Sequence, residues 1–409
     1  MSVTLAMIHA ARRRIRDAVY HSPCPYSLSL SRLCGAQIYC KLDHLQMTGS
    51  FKERGARNKL VQLTDVQKET GVIAASAGNH ALGLAYHGQL LKIPVTVVMP
   101  RFAPIVKVAN CRGFGANVIL HGDSFDAAHQ KAAALSEERK LTYVPGFDDP
   151  DIIAGQGSLG LEILDDLPDV DAVLVPVGGG GLIAGIGAAI KANKPTVKII
   201  GVEPEHAPSL HTSLKQGKLT RVHTHPTLAD GLAVAEMGKL CFDMAKEVVD
   251  QVVLVDEIAI AKSILRLLEL EKMVVEGAGA VGLAAMMQRN ALGLTELEGK
   301  KVVLVLCGGN IDVTMIARVI NRGLASDGRL ARVTANVPDR PGGLVKVLNI
   351  VAEAGGNVQE VRHERQFGPS DVALVRIDLV IETRDQEHVE SLQAAFKAAG
   401  VNVALRNGE

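Results

Sequence analysis

The chain has 409 residues, with Lys+Arg and Asp+Glu both at 44, so its formal net charge is zero. That length holds two or three domains, and the balanced charge offers no attraction to a polyanion such as nucleic acid. No apolar run reaches the ~20 residues of a membrane span, no hydrophobic signal core opens the chain, and the six cysteines form no CxxC pair, which predicts a cytoplasmic enzyme with reduced thiols.

The first element is a helix whose polar face carries Arg12-Arg13-Arg14-Ile15-Arg16. Followed at once by Asp17, this cluster is too short to read as an import signal or a nucleic-acid arm. An apolar run at 36–42 leads into Thr48-Gly49-Ser50-Phe51-Lys52-Glu53-Arg54-Gly55-Ala56. A lone lysine is usually a solvated surface cation. Here Gly49 and Gly55 permit close backbone approach, and Phe51 brings apolar burial beside the ammonium, which lowers a lysine pKa. A partly neutral lysine can condense with an aldehyde, the chemistry that pyridoxal phosphate (PLP) requires.

Short runs rich in β-branched residues follow at 72–75, 95–99, 117–120, 172–177, 198–202 and 302–306, with helical stretches such as 124–139 between them. The alternation predicts an α/β fold, parallel sheet covered by helices. Two runs lead into turns that open helices. Ser76-Ala77-Gly78-Asn79-His80 precedes the helical pattern 81–91, so its backbone N–H groups stand where a carboxylate is stabilised. Asn79 can donate to a phenolic oxygen; the plainer alternative makes Ser76 an N-cap and Asn79 a turn residue. Gly178, Gly179, Gly180, Gly181 and Leu182 precede the helical 183–192, and side-chain-free residues there make a cradle of N–H donors for a phosphate. Residues 179–184 also fit GxGxxA, with Glu203 placed as a ribose-binding acid. That nicotinamide-oxidoreductase reading leaves 50–52 and 76–80 without work. Further on, Glu276 opens a helix near the cleft, where two readings stand equal: a carboxylate close to the cofactor, or one simply favoured by the helix dipole.

The texture changes near Arg329. A strand pattern at 331–337 meets the turn Asp339-Arg340-Pro341-Gly342-Gly343-Leu344, and a helix at 344–354 ends in Gly355-Gly356-Asn357. Strands at 358–362 and 372–381, a helix at 386–399 and a strand at 401–405 complete a βαββαβ order.

Four motifs in sequence, at 49–56, at 76–80, at 178–182 and at Cys307-Gly308-Gly309-Asn310, make most of residues 10–325 resemble the PLP-dependent threonine/serine dehydratases. These are a branch of the fold type II, tryptophan-synthase-β-like enzymes. Residues 330–409 resemble an ACT domain, a ferredoxin-like regulatory module that binds amino acids at paired interfaces; a module that serves assembly alone is the alternative. The resemblance implies a catalytic domain over 1–325, in two lobes with parallel sheets, the smaller about 50–145, and a regulatory domain over 330–409.

The same resemblance implies site roles. Lys52, flanked by Phe51, would carry the covalent link to PLP and take the substrate α-proton. Ser76, with the backbone of Ala77, Gly78, Asn79 and His80, would hold the substrate carboxylate. Asn79 would bond the phenolic oxygen, and Gly178, Gly179, Gly180, Gly181 and Leu182 the phosphate. Cys307 would face the pyridine nitrogen, where many relatives carry serine; a neutral partner there favours β-elimination. Glu203, Ala207 and Ser209 match the spacing of a monovalent-cation site, and serine at the third place suits potassium better than magnesium.

The implied reaction converts L-threonine, and also L-serine, to 2-oxobutanoate or pyruvate and ammonia, chemistry that suits isoleucine biosynthesis. An amino-acid effector at the ACT domain and a homodimer or homotetramer are implied with it. A racemase of the same fold is the alternative. Racemases carry serine where this chain has Ala77, and a methyl group transfers no proton, which favours elimination.

Overall fold

The computed structural model describes residues 2–406, with the backbone alone at Arg406. The chain divides into two compact units at Ile311/Asp312. In the first unit, a six-stranded sheet runs in the order Tyr26–Ser27, Gln37–Lys41, Lys301–Val305, Ala172–Pro176, Lys198–Pro204, Gln251–Val255. Only its first pair is antiparallel. A second, all-parallel sheet of four strands has the order Asn117–Leu120, Val95–Met99, Val72–Ala75, Thr142–Tyr143. Strands Val72–Ala75 and Ala172–Pro176 are buried at every residue, as parallel strands covered on both faces must be.

The expected runs are strands within a residue or two of their sequence limits. Sequence periodicity passed over the edge strand Gln251–Val255 and the helix Pro150–Asp166. That helix contains Gly155, Gly157 and Gly160, which depress helix propensity. Tertiary packing explains them. A Cβ on Gly155 would stand 2.6 Å from the carbonyl oxygen of Arg54, and one on Gly157 2.9 Å from that of Gly185. The helix is therefore clasped between Lys52–Val61 on one side and Gly181–Asn193 on the other, and it fixes the spacing of the two.

A buried charge cluster anchors the Lys52–Val61 helix. Arg54 donates through Nε and Nη2 to Asp43 at 2.7 Å each, and through Nη1 and Nη2 to Glu162 at 2.7 and 2.8 Å. Lys41 Nζ adds a second cation 3.1 Å from Glu162. The guanidinium and its bonds hold Asp43 below the usual carboxylate range in spite of burial, which alone would raise it. On the first helix, Leu5–Ile15, Arg12 pairs with Asp165 and Arg14 donates to Asn58, so part of the basic cluster ties elements together.

The second unit begins with the helix Val313–Ser326, N-terminal to the expected domain limits of 325 and 330. An antiparallel sheet follows in the order Asn357–Glu364, Leu374–Glu382, Leu330–Pro338, Val403–Arg406. Burial alternates along Leu330–Pro338 and Leu374–Glu382, and the inward residues share one core with Val347, Ile350 and Val351 of helix Gly343–Glu353 and Leu392 and Phe396 of helix Gln386–Ala398. No described helix is long and apolar enough to cross a membrane.

Candidate active site

A cavity of about 910 Å³ opens in the first unit, lined by the residues that follow strands Val72–Ala75, Ala172–Pro176 and Lys301–Val305. This is the carboxyl end of parallel strands, where α/β sheets bind ligands. Phe51, Lys52, Ser76, Ala77, Gly78, Asn79, His80, Gly178, Gly179, Gly180, Gly181, Leu182 and Cys307 all line it.

Lys52 opens its helix, and the turn before it is stitched to the Cys307 loop. The Phe51 N–H donates to the Cys307 carbonyl at 3.0 Å, and Ser50 forms an isolated bridge with Gly308. Glu53 accepts from the Thr48 N–H and closes the same turn. Lys52 Nζ lies 5.1 Å from the Phe51 ring centroid and donates to the Gly146 carbonyl at 2.7 Å. Burial pulls its pKa down to about 8, against the opposing charge of Glu276. A useful fraction of this amine is thus uncharged at neutral pH.

The helix Asn79–Leu91 has Gly78 as its N-cap and no side-chain cap, so its first-turn N–H groups remain available to an anion. Ser76 is not the cap. Its Oγ accepts the Gly78 N–H at 3.2 Å, which leaves the hydroxyl hydrogen free to donate. His80 Nε2 donates to the Val144 carbonyl at 2.9 Å, and burial followed by the Lys52 charge holds the ring at a pKa of about 3. A neutral imidazole tied up in this way contributes only its backbone N–H to a carboxylate.

The 178–181 turn must be glycine for a different reason. A Cβ on Gly179 would fall 2.2 Å from Phe147 Cδ1; Gly180 has φ +91, and a Cβ there would fall 2.5 Å from Met237 Cε. Gly180 caps the helix Gly181–Asn193 without any side-chain bond. Cys307 is buried, and burial raises its thiol well above the ordinary range, so it presents an uncharged S–H. A small-residue cradle of amides, a depressed-pKa amine and a neutral thiol fit the phosphate, aldehyde and pyridine nitrogen of PLP.

Residues 15–308 match the family described as pyridoxal-phosphate dependent enzyme, and 331–401 match the ACT domain. The chain belongs to the pyridoxal-phosphate dependent enzymes. An L-threonine ammonia-lyase of Thermotoga maritima is 47% identical over 403 residues, covering 98% of this chain and 99% of the relative. The processed form of threonine deaminase isoform 2 from Solanum lycopersicum superposes with a TM-score of 0.73 at 38% identity, over 77% of this chain and 86% of that one. Maize serine racemase superposes with a TM-score of 0.75 at 32% identity, over 79% and 98%.

For a PLP enzyme, the acid at 203 has no ribose to bind. Glu203 is buried outside the cavity lining, and its oxygens accept from Ser209 Oγ at 3.2 Å, the Leu210 N–H at 2.7 Å and the His211 N–H at 2.8 Å. Glu203 thus takes first-turn N–H groups of the helix Ser209–Gln216, whose N-cap residue is Pro208, and the dinucleotide alternative loses its acid. Ala207 is buried in the same turn. Sequence reasoning missed Gly146 and Phe147, which hold Lys52 and crowd Gly179, and also the ion pairs Lys107–Asp230 and Arg221–Asp126 at the cavity lining. No motif marks them, because they meet only through tertiary approach.

Proposed function

We propose that the chain is a lyase that removes the α-proton and β-hydroxyl of L-threonine, and of L-serine, as water; the enamine released tautomerises to an imine, which water hydrolyses to 2-oxobutanoate or pyruvate and ammonia. The observation that carries this reading is the half-buried Lys52 amine, its pKa pulled down to about 8 by desolvation, set between an uncapped helix start and a four-glycine turn. The likeness to an L-threonine ammonia-lyase and a threonine deaminase supports the substrate.

PLP, when bound, supplies an electron sink conjugated to the substrate nitrogen. The chain's own groups do the rest. Lys52 Nζ, held in place by the Gly146 carbonyl, tethers the cofactor and then takes the proton from the substrate α-carbon. The Ser76 hydroxyl and the first amides of Asn79–Leu91 hold the carboxylate and orient that C–H bond. Asn79 would face the phenolic oxygen, and the 178–181 amides and Leu182 would hold the phosphate. The uncharged Cys307 thiol would meet the pyridine nitrogen without fixing a proton on it, which favours elimination over transamination. Ala77 lines the cavity and offers no proton for a second face, which sets the chain apart from a racemase.

The ACT domain is read as a sensor of a branched-chain amino acid in a cytoplasmic homo-oligomer. Its Gly342 has φ +88 with open space around it, so a side chain there strains the turn and should blunt the response. The reading of the reaction is tested by keto-acid release from a panel of β-hydroxy amino acids, with and without isoleucine and valine, and by borohydride labelling of Lys52. Lys52→Ala should lower kcat by at least ~10³ while PLP still binds; near-normal turnover by this variant sinks the assignment.

A further inference from the structure

Glu276 is the N-cap residue of the helix Gly277–Met287, yet its side chain caps nothing. The expected role of a helix-start carboxylate is therefore not how its oxygens are used. They turn instead toward the cavity. Oε1 accepts from Asn79 Nδ2 at 2.8 Å, and the Asn310 backbone N–H adds a donor. Asn79 Oδ1 in turn accepts from Asn310 Nδ2 at 2.9 Å, and the same Nδ2 donates to the Thr48 carbonyl at 2.7 Å.

This chain of bonds fixes the Asn79 amide both ways round. One of its two N–H hydrogens goes to Glu276, its oxygen goes to Asn310, and only one N–H is left for a ligand. The space around the carboxyl group is equally specified. Glu276 is 5% exposed, a Cβ on Gly308 would fall 2.2 Å from Oε1, and one on Gly231 would fall 3.7 Å from it.

Two further elements bring charge. The turn Asp230–Leu232 brings Asp230, and the helix Ile105–Gly113 brings Lys107, whose Nζ meets Asp230 at 3.0 Å. Lys52 and the Cys307 thiol face the same carboxyl group. Burial and then the Asp230 charge push Glu276 up to about 7, with the Asn79 bond and Lys107 opposing.

We propose that Glu276 is a positioning residue for the reaction: its carboxyl group holds the Asn79 amide in the one orientation that leaves an N–H for the ring edge of PLP, under the electrostatic control of the Lys107–Asp230 pair. The proposal rests on the reading of Asn79 as the partner of the phenolic oxygen. It assigns to Glu276 no contact with the substrate.

The test uses the holoenzyme and two readouts, the visible absorbance of bound PLP against pH without substrate, and kcat and KM against pH. Glu276→Ala removes the acceptor, and kcat should fall by about 10- to 100-fold, the scale of a misplaced group, with KM within about threefold. Glu276→Gln keeps an acceptor oxygen and cannot ionise, so kcat should return to within about threefold, and the step in PLP absorbance that titration of Glu276 near pH 7 should give the wild type should vanish. Lys107→Ala leaves Asp230 uncompensated and should move that step to higher pH; Asp230→Asn should move it lower.

An absorbance step that survives in Glu276→Gln, or that stays in place in both Lys107→Ala and Asp230→Asn, overturns the proposal. So does a Glu276→Ala holoenzyme with wild-type kcat. If the alanine variant does not fold, the glutamine and lysine variants decide the matter. A chain that takes up no PLP, or yields no borohydride adduct at Lys52, refutes the PLP reading instead of this one.

Discussion

Two turns in the cavity wall share one design, a parallel strand running into the N-terminus of a helix, and they use glycine in opposite ways. At Gly179 and Gly180 glycine is demanded by crowding and, at Gly180, by its positive φ, with Phe147 and Met237 standing where side chains would go. At Gly78 nothing lies within 4 Å of an added Cβ, and φ is −136. The first turn is a mould of fixed shape, suited to a phosphate that stays. The second is open, suited to a carboxylate that enters and leaves with each turnover. Helix N-termini attract anions in both cases, so the difference lies in preorganisation and not in charge.

The largest test of that contrast is Gly179→Val. Its Cβ would overlap the Phe147 ring, and overpacking of this kind costs about 1–3 kcal/mol, enough to weaken PLP retention by roughly 10- to 100-fold. Gel filtration followed by the visible spectrum reads it. Retention of the full cofactor complement would show that the turn yields and that the mould is soft.

Lys52 lies between the two turns, and its amine should report on the burial they share. Apoenzyme should recapture PLP about tenfold faster for each pH unit up to about 8 and level off above it, because only the uncharged amine attacks the aldehyde. The sign follows from burial disfavouring the ammonium. A midpoint near the ordinary 10.5 would mean that the amine is solvated.

Much of this arrangement was legible in the chain. Local patterns reveal strand–turn–helix units, and the β-branched runs, the glycine clusters and the lysine between small residues are all local. The alternation of buried residues in Leu330–Pro338 is equally local, which is why the C-terminal βαββαβ order could be read directly. The rest depends on which surfaces meet. Gly155 and Gly157 look like helix breakers until Arg54 and Gly185 are brought against them. Glu276 looks like a helix cap until Asn79 takes its oxygen. Glu203 looks like a ribose-binding acid until the start of Ser209–Gln216 is found against both of its oxygens.

The open turn predicts smaller effects. Ser76→Ala removes a hydroxyl whose oxygen serves Gly78 and whose hydrogen is free. A hydrogen bond to a charged group is worth about 1.5–3 kcal/mol, so KM for threonine should rise at least about tenfold while the PLP spectrum stays unchanged. Gly78→Ala should shift KM by less than about threefold. A large loss of PLP in either variant would erase the distinction between the two turns.

The smallest effect concerns potassium, and it should touch one turn only. Glu203 lies on the strand beside the phosphate turn, where the Val177 N–H donates to the Val202 carbonyl at 2.9 Å. A carboxylate offers about four lone-pair sites, and the Ser209 hydroxyl and the N–H groups of Ser209, Leu210 and His211 all reach Glu203, so a cation held there with oxygens of Ala207 and Ser209 would have to displace one of them. A single weak contact beside a rigid mould can tighten the mould slightly and cannot reshape it. Replacing potassium with tetramethylammonium should therefore speed PLP dissociation by about two- to fivefold, with KM for threonine unchanged because the 76–80 turn is built on the other sheet. Equal dissociation rates in the two buffers would leave Glu203 as a helix cap alone, and a shift in KM without loss of PLP would place the cation's influence at the wrong turn.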